Sequence, residues 1–248
     1  MEVSVITVGD ELLDGDTTNS NATWLAKQLT DRGVSVERIL ALPDLESTIA
    51  EHVCEYSECF DAVIVTGGTG GTPDDVTMEA VAMAFDRELA VRDAVLEDVE
   101  ETIAAFSAKR PELEIDVDVE AEASLPAGSR PLLNSRGLAP GCVIENVYVF
   151  PGIPEELKAM FEDVAEEFHG ESVSRLLYTV EPEANIIWAL DDVQEQFDVA
   201  VGCYPDREAG HNRLKITATD EETLSEAARW IRENVDASED PVTRDWDS

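Results

Sequence analysis

"DAVIVTGGTGGTPDDVT", residues 61–77, runs from an apolar stretch through four glycines into two adjacent carboxylates. Ala62-Val63-Ile64-Val65 is apolar at every position and rich in β-branched residues. Such a run reads as a strand buried on both faces, central in a parallel sheet. Gly67, Gly68, Gly70 and Gly71 let the backbone turn with positive φ and come close to a neighbour. A helix is expected from about Val76 to Phe85. Strand, glycine turn and helix in that order mark the place where an open α/β sheet receives a ligand.

The flanking segments repeat the alternation. "VSVITVG" (3–9) reads as a strand closed by Gly9, and a helix from about Asn21 carries Ala22, Leu25, Ala26 and Leu29 on one face. Strand 34–40 and helix 44–57 precede the central strand, and a helix over about 93–108 follows the glycine turn. Residues 109–131 are the least regular part of this half. A hairpin is expected over 142–150 around Glu145-Asn146, then a helix bearing Leu157, Met160, Phe161, Val164 and Phe168. The expected fold is a three-layer α/β/α domain over 1–169 with a mostly parallel sheet. Beyond His169-Gly170, strand 173–180, helix 182–196, strands 198–204 and 212–219 and helix 221–235 compose a small α+β domain, 170–236. Residues 237–248 read as a flexible tail.

Two readings of the glycine turn stay open. In one, Thr72 and Asp74 cap the helix, Pro73 takes its first position and Asp75 sits in its first turn. In the other, loop amides hold a phosphate. The stretch contains no lysine, so it is not the G-K-[ST] phosphate loop, and it follows the third strand rather than the first. The first strand also exits into carboxylates, Asp10-Glu11, which open a polar, turn-like stretch, "DELLDGDTTNSN" (10–21). Two neighbouring parallel strands would bring Asp10 and Asp75 to one sheet edge, where a Mg²⁺ held between them could bridge to a phosphate.

Composition narrows the partners. Lys plus Arg total 17 against 55 Asp plus Glu, a net charge of -38. The acid is spread along the whole chain, which reads as a surface adapted to concentrated salt rather than a decoy block for one basic partner. Nucleic acid and anionic membranes are disfavoured as partners. Cys54, Cys59, Cys142 and Cys203 form no C-x-x-C pair and read as buried or partly buried free thiols. No basic leader precedes the first strand and no apolar run reaches about 20 residues, so a soluble, cytoplasmic protein is expected. Trp24 and Trp188 read as core or interface aromatics, with Trp246 in the tail. Arg136, Arg207 and His211 read as solvated loop residues, and no Ser-His-Asp or Cys-His arrangement stands out.

"GDELLDG" (9–15), "TNSNATWLAKQL" (18–29), "VTGGTGGTPDDVT" (65–77), "LP" (125–126), "GLAPG" (137–141) and "FPGIPEELKAMFE" (150–162) occur in order. Together they resemble the molybdopterin-binding-like domain of the competence/damage-inducible protein CinA family, related to the molybdenum-cofactor biosynthesis domains. The resemblance covers about 1–169, and 170–235 looks like the small domain that follows in CinA-like proteins. It implies a homo-oligomer binding a pterin- or nucleotide-type phosphate ligand at the glycine loop. It also implies metal-dependent hydrolysis of ADP-ribose-type pyrophosphates, with adenylyl transfer to molybdopterin or ligand binding without turnover as alternatives. Mg²⁺ is the expected metal, with Mn²⁺, Co²⁺ and K⁺ as further candidates. By position, Asp75 and Asp10 take the catalytic and metal roles. Gly67, Gly68, Thr69, Gly70, Gly71, Thr72 and Asn19 hold the ligand, and Gly137, Pro140, Gly141, Pro151 and Gly152 form the walls. Gly71 replaces the proline of the family's G-P-T, Thr17 stands where relatives carry an aspartate, and Glu120-Ala121 occupies an often basic stretch. The amidase domain of full-length CinA proteins does not follow, so deamidation of nicotinamide mononucleotide is not expected.

Overall fold

The computed structural model describes residues 1–110, 112 and 117–243. Two compact units separate between His169 and Gly170. In the first, the elements run β1 (Glu2–Val8), α1 (Asp10–Leu13), α2 (Ser20–Thr30), β2 (Ser35–Leu42), α3 (Glu46–Cys59), β3 (Ala62–Thr66), α4 (Thr77–Ala84), β4 (Leu89–Val91) and α5 (Asp93–Lys109). They continue with α6 (Val119–Glu122), β5 (Ser124–Pro126), β6 (Arg130–Leu132), β7 (Gly141–Ile144), β8 (Val147–Phe150) and α7 (Pro154–Glu162).

Six strands form one sheet in the order β2-β1-β3-β8-β7-β6. The β1–β2, β1–β3 and β3–β8 ladders are parallel, and the β7–β8 hairpin adds antiparallel pairing. The central strand serves two cores because successive side chains point to opposite faces. Val63 and Val65 join Ile6, Ile49, Val53 and Val81 on one side of the sheet. Ala62 and Ile64 join Val3, Leu25, Leu29, Leu157 and Phe161 on the other. Helices therefore cover both faces, which is the three-layer α/β/α arrangement.

Three local outcomes differ from the sequence reading. Residues 10–13, expected as a turn, form a helical turn closed by Asp14 N donating to Asp10 O (2.9 Å), with Asp10 and Glu11 at its positive end. The stripe after Pro154 leaves the helix at Glu162 and continues through a 3-10 turn, Ala165–Glu167, yet Val164 and Phe168 still reach the core. Cys142 is buried and Cys203 half-buried, but Cys54 and Cys59 are exposed. Both lie on the side of α3 away from its apolar stripe of Ile49, Ala50, Val53 and Tyr56. Part of the irregular segment expected at 109–131, namely 111 and 113–116, lies outside the described residues.

The second unit is a four-stranded antiparallel sheet, β10 (Ala200–Asp206), β11 (His211–Ala218), β9 (Val173–Thr179) and β12 (Ala237–Ser238), with α8 (Glu183–Gln196) and α9 (Glu221–Asn234). Asp220 caps α9 by accepting Thr223 N at 2.8 Å. Leu224, Ala227, Ala228 and Ile231 then bury one stripe of that helix against Leu177, Leu214 and Ile216. The expected tail does not begin at 237, because Ala237 and Ser238 pair with Thr179 and Tyr178. Further along, Val242 O accepts His211 Nδ1 at 2.7 Å. His211 is thus a buried, hydrogen-bonded histidine and not a solvated loop residue. Trp246 lies outside the described residues.

Ion pairs such as Arg130–Glu167 (2.7 Å) and Arg232–Glu239 (2.9 Å) are solvent-exposed and each contributes about 0–1 kcal/mol. Seventeen cations cannot neutralise 55 carboxylates, so repulsion among the remainder works against the compact state. At about 1 M salt the screening length falls to about 3 Å. We therefore expect the melting temperature to rise steadily as KCl goes from tens of millimolar to molar. A flat or falling dependence in calorimetry would remove the salt-adapted reading.

Candidate functional site

The glycine turn is held by its neighbours rather than by its own side chains. Gly67 and Gly68 adopt positive φ, 101° and 61°. A Cβ on Gly67 would overlap Val8 O of the adjoining strand. Thr77 opens α4 by donating its hydroxyl to Gly67 O (2.7 Å) and its amide to Gly68 O (2.8 Å). The capping expectation for Thr72, Pro73, Asp74 and Asp75 is therefore corrected: the helix starts at Thr77, with Val76 as its N-cap and no side-chain cap bond. Thr72-Pro73-Asp74-Asp75 is instead a separate turn, closed by Asp75 N donating to Thr72 O at 2.9 Å. Proline, with φ pre-set, suits the second position of such a turn. Asp75 Oδ2 accepts both the Thr72 amide (2.9 Å) and the Thr72 hydroxyl (2.6 Å). The same hydroxyl lies 2.6 Å from Asp74 Oδ1 and holds the Asp74 carboxyl below its ordinary range. Among the described residues, the N–H groups of Gly68, Thr69, Gly70 and Gly71 donate to no protein acceptor.

Two cavities open on either side of this turn. The first, about 240 Å³, lies at the carboxyl ends of β1 and β3 and is lined by Gly67, Gly68, Asn19, Asn21, Gly152, Glu11, Asp44, Asp74 and Asp75 among others. The second, about 170 Å³, is lined by Gly68 to Thr72, Asp75, Glu79, Glu122, Ser124 and Pro140 among others. Gly68 and Asp75 belong to both. Among the described residues, neither lining contains a Lys, Arg or His.

Polar groups in the first cavity are tightly organised. Asn19 caps α2 by accepting Ala22 N (3.2 Å) and donates to Thr7 Oγ1 (2.9 Å). Asn21 donates to Gly152 O at 2.7 Å, which ties α2 to the Pro151-Gly152 turn, and Pro151 O accepts the Thr66 hydroxyl at 2.7 Å. Those bonds fix the Asn21 amide so that its Oδ1 is buried with no partner. Asp44, at the exit of β2, accepts Asp10 N on Oδ2 at 2.9 Å. Burial pushes the Asp44 carboxyl up; the Asp10 amide opposes this, and the charges of Asp10, Glu11 and Asp74 add to it.

Several expected residues fall elsewhere. Asp10 reaches the right sheet edge, but its Oδ1 faces Asp44 N at 3.4 Å and it lines neither cavity. Asp75, by contrast, lines both cavities. Gly137 and Gly141 also lie outside both linings. Gly137 N donates to Asn134 Oδ1 at 2.9 Å, and a Cβ on Gly141 would overlap Val149 O, so both serve the turn that presents Pro140. Arg136 lines a different cavity with Phe106 and Leu138. Sequence reasoning named Glu11 without giving it a role and missed Asn21, Asp44 and Glu122. Asp44 was open to discovery, since ligands gather at the carboxyl ends of all parallel strands and β2 ends two residues before it.

Comparison with known proteins shows the family of the domain that carries these cavities. The family model described as "probable molybdopterin binding domain" matches residues 4–170. The chain belongs to that family. Residues 171–239 match the model for the middle domain of FAD synthase. A protein of Archaeoglobus fulgidus is 37% identical over 235 residues, covering 94% of this chain and 97% of the relative. One of Pyrococcus furiosus is 35% identical over 244 residues, covering 94% and 96%. The crystal structure of a CinA protein of unknown function from Thermoplasma acidophilum superposes with a TM-score of 0.60 at 29% identity, over 67% of this chain and 97% of that one. The CinA-like resemblance of the first unit is thereby shown.

In this molybdopterin-binding-type domain the wall behind Pro140 carries a titration of its own. Glu156 is buried, and its Oε2 accepts Asn134 Nδ2 at 2.7 Å. Burial pushes the Glu156 carboxyl up, the Asn134 bond pulls it down, and the Glu155 charge pushes it up. A raised carboxyl contributes stability that is full below its unfolded value and lost as pH rises through the folded one. Glu156→Gln keeps an oxygen for Asn134 and removes the charge. We expect its melting temperature to exceed that of the native protein at pH 8 and to converge with it near pH 4. Parallel melts across that range check this.

Proposed function

We propose that the glycine turn binds the phosphate group of a nucleotide- or pterin-type small molecule as its divalent-cation complex, and that the site hydrolyses the pyrophosphate of ADP-ribose-type nucleotide sugars. The carrying observation is that both cavities are lined by carboxylates with no cationic side chain, beside four consecutive amides without acceptors. The amides are an anion cradle, and the carboxylates would repel a bare phosphate. An oxygen-only donor set fits a hard cation. Mg²⁺ takes one or two carboxylates and fills its shell with phosphate and water. Asp75, shared by both cavities, and Asp74 would hold it. When bound, such an ion neutralises phosphate charge and polarises the phosphoryl oxygen.

The chain's own groups supply the rest. The Gly68 to Gly71 amides receive the phosphoryl oxygens and stabilise charge that develops there. Asn21 Oδ1, an orphaned acceptor, takes a ligand donor. Asp44, with its carboxyl pushed up, accepts a proton from the attacking water. Water then adds across the P–O–P bond, giving AMP and a sugar phosphate. The family's description favours a second reading, adenylyl transfer to molybdopterin.

A panel of ADP-ribose, NAD, FAD, ATP and molybdopterin, in molar KCl with Mg²⁺, Mn²⁺ or Co²⁺, tests this. AMP released from ADP-ribose supports the first reading, and AMP transferred from ATP supports the second. Binding without turnover reduces the site to a ligand-binding module. No binding of any member removes the proposal.

A further inference from the structure

Gly71 of the glycine turn and Glu122 of α6 meet at one point in space. Glu122 closes α6, and its carboxyl rests against Gly71, where a Cβ would overlap Oε1. Gly71 is the residue that makes room for it. The Glu122 carboxyl lines the second cavity and, among the described residues, has no hydrogen-bond or ion-pair partner. Glu79 and Asp75 share that lining, together with Ser124, Met78 and Leu89. The chamber next to the anion cradle is thus itself hostile to anions.

We infer that Glu122, admitted by Gly71, is a specificity-determining residue that accepts an uncharged, diol-bearing sugar beyond the bound pyrophosphate and rejects a terminal phosphate. This rests on the function proposed above and names the end of the substrate that the second cavity reads. A carboxylate beside a vicinal diol accepts two O–H donors, as acidic residues do with ribose in dinucleotide sites. A half-buried acceptor without a partner gains most from a ligand that supplies donors, and a terminal phosphate brings none and adds like charge.

The test uses α,β-methylene ADP-ribose and α,β-methylene ADP, which share the adenylate end and resist cleavage, in calorimetric titrations with Mg²⁺. The native protein is expected to prefer the ADP-ribose analogue by about tenfold or more, for a difference of about 1.4 kcal/mol. Glu122→Lys is expected to reverse that preference. Gly71→Ala is expected to narrow it without lowering the melting temperature, since only the free end of a flexible side chain has to move. If both analogues bind and the ratio is the same in all three proteins, the role of Glu122 is refuted while the function proposed above stands. If neither analogue binds the native protein, both fall.

Discussion

Asp75→Asn is expected to stay folded, to lose turnover of ADP-ribose by about 10²–10³-fold and to lose its metal-dependent response to ligand. The substitution is nearly isosteric, and an amide oxygen can still accept the Thr72 amide and hydroxyl that Asp75 Oδ2 receives at 2.9 and 2.6 Å. The Thr72–Asp75 turn should therefore survive, and the apo melting temperature should change little. What disappears is the negative charge at the point the two cavities share. A ligand held at 100 times its Kd raises stability by about 2.7 kcal/mol in the native protein, so a thermal shift with ADP-ribose analogue and Mg²⁺ is a direct readout. That shift should collapse in the variant while the apo curve stays in place. Native-like turnover in Asp75→Asn would end the assignment of this residue to the chemistry.

The architecture was legible because its signals repeat. The apolar run 62–65 and the stripes of the flanking helices each state an element by period, and the layered, mostly parallel fold class follows from their alternation. The site was legible at its glycines and less so at its carboxylates. Asp10 and Asp75 both follow parallel strands, so spacing treats them alike, yet Asp10 is spent facing the Asp44 amide while Asp75 stays between the cavities. Only the register of β1 against β2 and β3 decides that, and register is long-range. Glu122 was invisible for the same reason, since no pattern within 109–131 shows that this carboxylate returns to Gly71. The capping reading failed in a local way. Thr72-Pro73-Asp74 is a good helix start in isolation, but Gly67 O and Gly68 O take the two Thr77 donors and move the start to Thr77.

Gly67→Ala is expected to be the most damaging single substitution in the first unit, because two independent costs fall on one methyl group. The backbone at 67 has φ 101°, where a non-glycine residue costs about 1–3 kcal/mol. The Cβ would also overlap Val8 O, a backbone atom of the β1 strand that pairs on both edges, so it cannot step aside as a side-chain end would. Relief must come from the loop, and the loop is tied: Gly67 N donates to Phe150 O at 3.2 Å and Gly67 O accepts the Thr77 hydroxyl at 2.7 Å. Gly152 Cα stands nearby as well, since its own Cβ would lie 3.3 Å from Gly67 Cα. Strain at 67 thus reaches the start of α4 and the Pro151-Gly152 turn together. At about 2–4 °C per kcal/mol for a chain of this size, the melting temperature should fall by about 5–10 °C, and phosphate-ligand binding should be lost even where the protein remains folded. Gly70→Ala is the matched control: its backbone is not at positive φ and its Cβ would lie 2.8 Å from a side-chain oxygen, Asp75 Oδ2, rather than a strand carbonyl, so a smaller drop is expected there. Equal melting temperatures for the two variants would show that the close approach of Gly67 to β1 does not hold the loop.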